Sequence, residues 1–297
     1  MKYAISIDIG GTNTRVALVN SDYRIVERIA FPTDGDDPHK TISKINESIE
    51  SFGKEVSAMG VSCPGPMDLK KGVILTPPNL PGWHQFHLVE ALQKATGLKT
   101  YLENDANLAG LAEASIGAGK DFNPVQYLTV STGLGGGFVL DGEIYQGPHG
   151  FAQEIANVIL EPNGFKLNDL KPGSLESLCS GTGIVAQAKA YGIEAEHAGI
   201  VNDLALAGNE DAKAVMEKAK QSLAQAIASI YAFLDPDVVV LGGSVALKID
   251  GFIEDVESRV KELVFDVVKD HVRLVPAQLG DDNGLIGGAI LAFNKSE

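Results

Sequence analysis

The chain is short of cysteine and of positive charge, and it has no long apolar run. Its 297 residues include 2 cysteines, Cys63 and Cys179, far apart in the sequence. They allow one disulfide at most, and a cytosolic chain normally keeps such thiols reduced. Lys and Arg number 24 against 39 Asp and Glu, a formal net charge of −15. Phosphate backbones and anionic lipid attract clustered Lys and Arg, so no nucleic-acid and no membrane partner is expected. The N-terminal apolar run ends at Asp8, too soon for a secretory signal. No stretch reaches the roughly 18 apolar residues that span a bilayer. The 6 histidines are scattered without ligand spacing. A soluble cytoplasmic protein is the expectation. The 44% apolar and 21% charged residues suit an ordinary globular chain with a large core. At about 150 residues per domain, the length predicts two domains.

Strand and helix patterns alternate, which indicates α/β architecture. The apolar strand from Ala4 to Ile7 runs into Asp8 and then Gly10-Gly11-Thr12-Asn13. Strands follow at 16–19 and 24–31, around the turn Asn20-Ser21-Asp22. Helices are predicted at 39–52, 88–96 and 106–116, and strands at 58–62 and 100–102. The pattern then restarts. Tyr127 to Val130 reads as a strand, Thr132 to Gly137 as a glycine turn, Phe138 to Leu140 as a strand, Asp141-Gly142-Glu143 as a hairpin turn and Ile144-Tyr145 as a strand. Two weakly similar halves suggest an internal duplication. In the second half Val215, Ala219, Leu223, Ile227, Ile230 and Leu234 recur at helical spacing until Asp235-Pro236 stops the helix. A strand into Gly242-Gly243-Ser244, a helix at 252–264, a strand at 273–276 and a small-residue helix from Asn283 complete the chain.

Three glycine turns follow strands, at Gly10-Gly11, at Gly133 to Gly137 and at Gly242-Gly243. Without a Cβ in the way, backbone N–H groups there approach anionic oxygens closely. No G-x-x-x-x-G-K-S/T occurs, so the chain has no P-loop, and the Gly133 run precedes a strand where a dinucleotide loop precedes a helix. Beside the first turn, Asp8 reads either as a turn residue or as a carboxylate that organises Mg²⁺ on phosphates. Asn104-Asp105 reads as a helix N-cap, and a strand-end Asp also serves as a general base. Glu154 and Glu176 read on their own as surface charges. Trp83 reads as a loop anchor or as a sugar-stacking ring.

Together these segments resemble the ROK family of repressors, uncharacterised reading frames and sugar kinases. That family lies within the actin-like, Hsp70-like and hexokinase-like ATPase superfamily. The resemblance covers essentially the whole chain. Its carriers are DIGGTNTR at 8–15, CPGPMD at 63–68, NLPGW at 79–83, ENDANLAGLAEA at 103–114 and STGLGGGFVLDGEIYQGPHGFAQEI at 131–155. GSLESLCSG at 173–181, DPDVVVLGGS at 235–244 and DDNGLIGGA at 281–289 complete them. The resemblance implies a two-lobed actin-like ATPase (ribonuclease H-like) fold, with a duplicated βββαβαβα core and a cleft between the lobes. The lobes would be 1–117, with the terminal helix at 284–297 packing back on it, and 118–283. It implies an ATP-dependent kinase for a hexose or amino sugar, with glucose and its 6-hydroxyl leading. By position, Asp105 resembles the catalytic base. Gly65, Asn79, Asn104, Asp105, Glu154, Asn157 and Glu176 match sugar-binding positions. Gly10, Gly11, Thr12, Asn13, Thr132, Gly133, Gly242 and Gly243 match ATP-binding ones, and Asp8 would organise Mg²⁺. A homodimer is implied by the resemblance alone.

The chain departs from the family at one site. Most members carry a His and three Cys that bind a structural Zn²⁺. Here Asn157 stands in place of the His, and 170–176 reads LKPGSLE without cysteine. No zinc is expected there. The sugar is therefore the least fixed expectation: mannose, fructose, N-acetylglucosamine, N-acetylmannosamine and β-glucosides stand beside glucose. A sugar-responsive repressor needs an N-terminal DNA-binding domain, for which a first strand at Ala4 leaves no room. A catalytically silent sugar-binding protein is the remaining alternative, opposed by the intact Asp8, Asp105 and glycine turns.

Overall fold

A computed structural model describes residues 2–63, 65–77 and 79–296. It divides into two compact units, Met1–Ala112 with Gln146–Gly150 and Asp281–Glu297, and Glu113–Tyr145 with Phe151–Gly280.

In the first unit β1 (Tyr3–Ile9), β2 (Asn13–Asn20) and β3 (Ile25–Pro32) form an antiparallel meander. After helix α1 (Pro38–Ser51), β4 (Ala58–Ser62) adds parallel to β1. The short hairpin of β5 (Met67–Asp68) and β6 (Val73–Ile74) and the helix α2 (Leu88–Thr96) lead to β7 (Lys99–Glu103), which is parallel to β4. The sheet order is β3-β2-β1-β4-β7. Helix α3 (Asp105–Ile116) begins where β7 ends, and the division between the units falls within it.

The two faces of this sheet differ in side-chain size. Ile5, Ile7 and Ile9 of β1 join Val61, Ile45, Leu88 and Leu92 in one cluster, so α1 and α2 cover the bulky face. Ala4, Ala17 and Ala58 point the other way, into a cluster with Leu285, Ala289 and Ala292 of the C-terminal helix (Asn283–Asn294). Alternation along a strand sends successive side chains to opposite faces, so small residues on one face let a helix come close. Gly60 and Gly288 complete the close approach, because a Cβ on Gly60 would overlap the Gly288 backbone. Asp37 caps α1 by accepting the His39 amide at 3.0 Å, with Pro38 in the first turn, where a missing N–H costs nothing.

The second unit repeats the topology. β8 (Val125–Val130), β9 (Leu134–Leu140) and β10 (Glu143–Ile144) form the meander. Helices α4 (Leu175–Cys179), α5 (Gly181–Ala190), α6 (Ala198–Leu206) and α7 (Glu210–Leu234) precede β11 (Val238–Gly242), which lies parallel to β8. After α8 (Ser244–Lys248) and α9 (Phe252–Leu263), β12 (Leu274–Pro276) lies parallel to β11. The order β10-β9-β8-β11-β12 matches the first sheet strand for strand. Asn209 caps α7 through the Ala212 amide at 2.9 Å, and Asp235 ends it in the left-handed region at φ 46°. Glu113 is fully buried, and its carboxylate accepts the Gln278, Leu279 and Ala118 amides, each at 2.9 Å.

The structure corrects one expectation about the second glycine turn. The turn ends at Gly133, and Gly135, Gly136 and Gly137 lie within β9 opposite Thr129, Leu128 and Tyr127. A Cβ on Gly136 would stand 3.1 Å from Ile155 and 3.3 Å from the Gln153 carbonyl oxygen. These glycines serve close packing of the 153–155 segment on the strand. Their pattern in the sequence is indistinguishable from a turn.

Gly60→Ala should cost the protein about 1–3 kcal/mol, the usual range for overpacking a filled interior. Urea unfolding measures it, and an unchanged midpoint would contradict the packing of the C-terminal helix described above.

Candidate active site

In the first unit, three parallel strand ends lie side by side. Asp8 of β1 is in register with Ser62 of β4, and Ser62 with Glu103 of β7. Chemistry gathers at the carboxyl ends of parallel strands, where the chain leaves the sheet in loops. Asp8 faces its cross-strand partner Arg15 and accepts from Nε at 3.0 Å and Nη2 at 2.6 Å. The Ser62 hydroxyl donates to the other Asp8 oxygen at 2.9 Å. Arg15 on Oδ2 and Ser62 on Oδ1 together hold the carboxylate from both of its oxygens.

The turn after β1 is tight. The Gly10 amide donates to the Asn13 carbonyl at 2.9 Å, the Thr33 hydroxyl to the Gly10 carbonyl at 2.8 Å, and the Thr33 amide to the Thr12 carbonyl at 2.9 Å. A Cβ on Gly10 would meet the Asn13 carbonyl oxygen at 2.9 Å, and one on Gly11 would stand 3.1 Å from the Asn79 Cβ. The structure therefore sets exposed Asn79 against the first glycine turn. Thr12 and Asn13 are exposed, and Gly65 is half-buried. Trp83 is fully buried, donates its indole N–H to the Asp34 carbonyl at 2.9 Å and meets Phe86 edge-on. It anchors the Asn79 loop and offers no face to a sugar.

Asn104 and Asp105 open α3. The Asn104 side chain accepts the Ala106 amide at 2.9 Å, and Asp105 accepts the same amide at 2.8 Å. Glu103, fully buried behind them, accepts the Asn104 amide at 2.8 Å, the Asn107 side-chain amide at 2.9 Å and the Gln146 side-chain amide at 2.5 Å. Burial pushes the Glu103 carboxyl up from the ordinary carboxylate range, against those three donors. Asp105 is open to solvent at its face but crowded behind. Desolvation first, and the Asp8 charge after it, push its carboxyl up, while the Ala106 amide pulls it down. Water reaching the open face moderates this upward shift. The buried Cys63 thiol is pushed up as well, by burial and then by the Asp8 and Asp105 charges. Asp8, Cys63 and Asp105 thus share one neighbourhood.

The second unit carries the other expected residues. Exposed Thr132 and half-buried Gly133 turn the chain after β8, with the Gly181 amide on the Ser131 carbonyl at 2.7 Å and the Thr182 hydroxyl on the Thr132 carbonyl at 2.7 Å. Glu176, in the first turn of α4, accepts the Leu134 amide at 2.9 Å, and a Cβ on Gly133 would sit 3.0 Å from its carboxylate. Gly242 ends β11, and Gly243 has φ 87° with the Val130 carbonyl where a Cβ would stand, so only glycine fits. The structure brings Thr132, Gly133 and Glu176 together, with Gly243 against the end of β8. Glu154 and Asn157 are both exposed and bond each other across one 3-10 turn at 3.3 Å.

The 153–176 segment is held by hydrogen bonds. The buried Gln126 side chain donates to Gln153 at 2.8 Å, the Leu175 amide to Val158 at 2.8 Å and the Gly173 amide to Phe165 at 2.8 Å. Ser174 and Ser177 share a buried bond at 2.7 Å, and Lys218 pairs with Glu161. Among the described residues, no group of three or more His, Cys, Asp or Glu is disposed to hold a metal ion.

A cavity of about 620 Å³ opens beside the second glycine turn, lined by Ser131, Thr132, Thr182, His197, Ser244 and Lys248 among others. Its volume suits a ligand the size of a nucleoside. Sequence reading missed the 181–182, 196–199 and 248 stretches of its wall. Ser180-Gly181-Thr182 carries a signal, since Ser180 caps α5 through the Gly183 amide at 3.0 Å. Glu196 to Gly199 carries none.

Two copies of one sheet topology, with glycine turns and an open carboxylate at the strand ends, define the actin-like ATPase fold. The ROK family model matches residues 4–295, and the chain belongs to that family. It is 31% identical to the glucokinase of Thermotoga maritima, over 96% of this chain and 95% of that one. It is 33% identical to an Escherichia coli N-acetylmannosamine kinase, over 98% of each chain. Its fold matches the crystal structure of a ROK hexokinase from Thermus thermophilus with a TM-score of 0.90 at 31% identity, covering 99% of both chains.

The raised carboxyl of Asp105 has a consequence for stability. A group that holds its proton more tightly when folded makes stability fall as pH rises from its ordinary value of 3.8 through its folded value. Asp105→Asn should therefore melt at a higher temperature than the wild type at neutral pH, and the gap should close in acid. A variant that melts lower at neutral pH would contradict the desolvation of Asp105.

Proposed function

We propose that this ATP-dependent sugar kinase transfers the γ-phosphoryl group of ATP to the 6-hydroxyl of glucose, with Asp105 as general base. The carrying observation is the solvent-reachable Asp105 carboxylate of raised proton affinity, on the strand edge that also holds the Gly10–Thr12 turn. A sugar hydroxyl is a weak acid, and a base whose pKa is raised toward neutrality takes its proton more effectively as the oxygen attacks. The hydroxyl oxygen bonds the γ-phosphorus, the bond to the β–γ bridging oxygen breaks, ADP leaves and the proton passes to the Asp105 carboxylate. The remaining work is positioning and charge neutralisation. Asn104, capping α3 beside Asp105, and Asn79, beside Gly11, offer amide donors and acceptors to sugar hydroxyls. So does Gly65, through its backbone. Glu154, Asn157 and Glu176 are the acceptors we assign from the second unit. The turns at 10–13, 132–133 and 242–243 are the phosphate and nucleoside contacts, and the 620 Å³ cavity takes the nucleoside.

Mg²⁺ fits beside this carboxylate. Asp8 uses three of about four lone-pair sites on Arg15 and Ser62, which leaves one for a cation or its water. The ion would neutralise charge on the transferring phosphates. We propose a cytoplasmic location, supported by two buried free thiols and the use of ATP, and a homodimer, supported by the family resemblance alone. N-acetylmannosamine is the second reading for the acceptor, favoured by the 33% identity to the kinase of that name.

ADP release with Mg·ATP should be measured on glucose, mannose, fructose, N-acetylglucosamine, N-acetylmannosamine and a β-glucoside. Glucose should turn over fastest, and Asp105→Asn should lower kcat roughly 10²–10⁴-fold, the usual contribution of a positioned base. An Asp105→Asn enzyme as fast as the wild type would overturn the assignment. Faster turnover of N-acetylmannosamine would select the second reading.

A further inference from the structure

A second cavity, of about 270 Å³, lies in the first unit, away from the Asp8 turn. Its lining includes Lys70, Lys71, Lys295, Thr100, Tyr101 and Gln146, and no carboxylate among the described residues. Three lysines line this concavity in a chain whose net charge is −15. Like charges gathered in a concavity repel one another and attract an anion, because low-dielectric walls focus the field. Their present partners leave capacity. Lys70 donates to the Pro148 carbonyl at 2.5 Å, one of three ammonium protons. Lys71 is 3.3 Å from Asp68. Lys295 acts on buried Glu103 through its field. The volume is below the range of drug-sized pockets, which suits a small ion or a monosaccharide derivative.

We propose that this cavity is a second anion site that takes a phosphate dianion, free or carried by a phosphorylated sugar. It differs from the phosphate contacts assigned to the glycine turns. It reaches Asp105 through named bonds. Gln146, in its wall, donates to Glu103, and Glu103 accepts the amide of Asn104, the residue before Asp105. Lys70 holds Pro148, two residues after Gln146. An anion bound by Lys70 and Lys295 therefore pulls on the 146–150 segment and screens the Lys295 field from Glu103. Any effect on turnover rests on Asp105 being the base, whereas anion binding does not.

The test is calorimetric titration of inorganic phosphate into the wild type and into the K70Q/K71Q/K295Q variant, with the glycine turns occupied by Mg²⁺ and a non-hydrolysable ATP analogue. The wild type should bind one equivalent, and the triple variant should bind at least roughly tenfold more weakly. The K70R/K71R/K295R variant should retain binding, which separates charge from misfolding, and both variants should melt near the wild type. Glucose 6-phosphate as a second titrant distinguishes the sources. Tighter binding than inorganic phosphate marks the reaction product as the ligand, and equal binding marks the free ion. Equal phosphate affinity in the wild type and K70Q/K71Q/K295Q, or complete loss of binding when the nucleotide analogue is present, would overturn the site. Failure to bind the nucleotide analogue would count against the kinase reading alone, since the lysine comparison stands without it.

Discussion

The parallel pairing of β1, β4 and β7 is the constraint on which the candidate site depends. It puts Asp8, Ser62 and Glu103 next to one another at the strand ends, with Asp105 two residues beyond. A one-residue slip of β1 on β4 would turn Asp8 away from Ser62, and one of β4 on β7 would take Glu103 out of register with Ser62. The register is fixed by side-chain size. Ile5 and Ile7 must face the bulky cluster, and Ala4 and Ala58 the close-packed C-terminal helix. Packing far from the chemistry therefore determines where the carboxylates stand.

Charge is distributed by the same geometry. Asp8 is neutralised by Arg15 across the β1–β2 pair, whereas Asp105 has no cation among its perturbing neighbours and keeps a raised proton affinity. Two carboxylates in one neighbourhood thus take different roles, one paired with a guanidinium and the other inclined to accept a proton. Glu103 supports the second from behind. It is buried and triply hydrogen-bonded, and it sets the backbone of Asn104 and through it the start of α3. A carboxylate in that position costs desolvation, which its three donors offset only in part.

Much of this was legible in the sequence, for a physical reason in each case. Apolar patterning and turn residues located the helix at Leu88–Thr96 and the strand at Ala58–Ser62 to the residue. The matching glycine turns gave the duplication, which the two sheet orders bear out. Gly135 to Gly137 misled because glycine serves tight turns and close packing alike, and only the chain lying on Gly136 tells them apart. The burial of Trp83 separated its two readings. The wall at Glu196 to Gly199 was not legible, since a loop end running into the first turn of α6 has the composition of any other helix start. The lysines at 70, 71 and 295 were not legible as a group either, because Lys295 lies more than 200 residues from the other two and lines the same cavity only in the fold.

The pH dependence of kcat/KM for the sugar tests the central claim most directly, because it reads the protonation of the base in the free enzyme. The profile should show an acid limb set by Asp105, with its midpoint above the ordinary carboxylate value of 3.8, and Asp105→Asn should abolish that limb along with most of the rate. A rate that stays flat down to the ordinary carboxylate range, or an acid limb that persists unchanged in Asp105→Asn, would contradict the account.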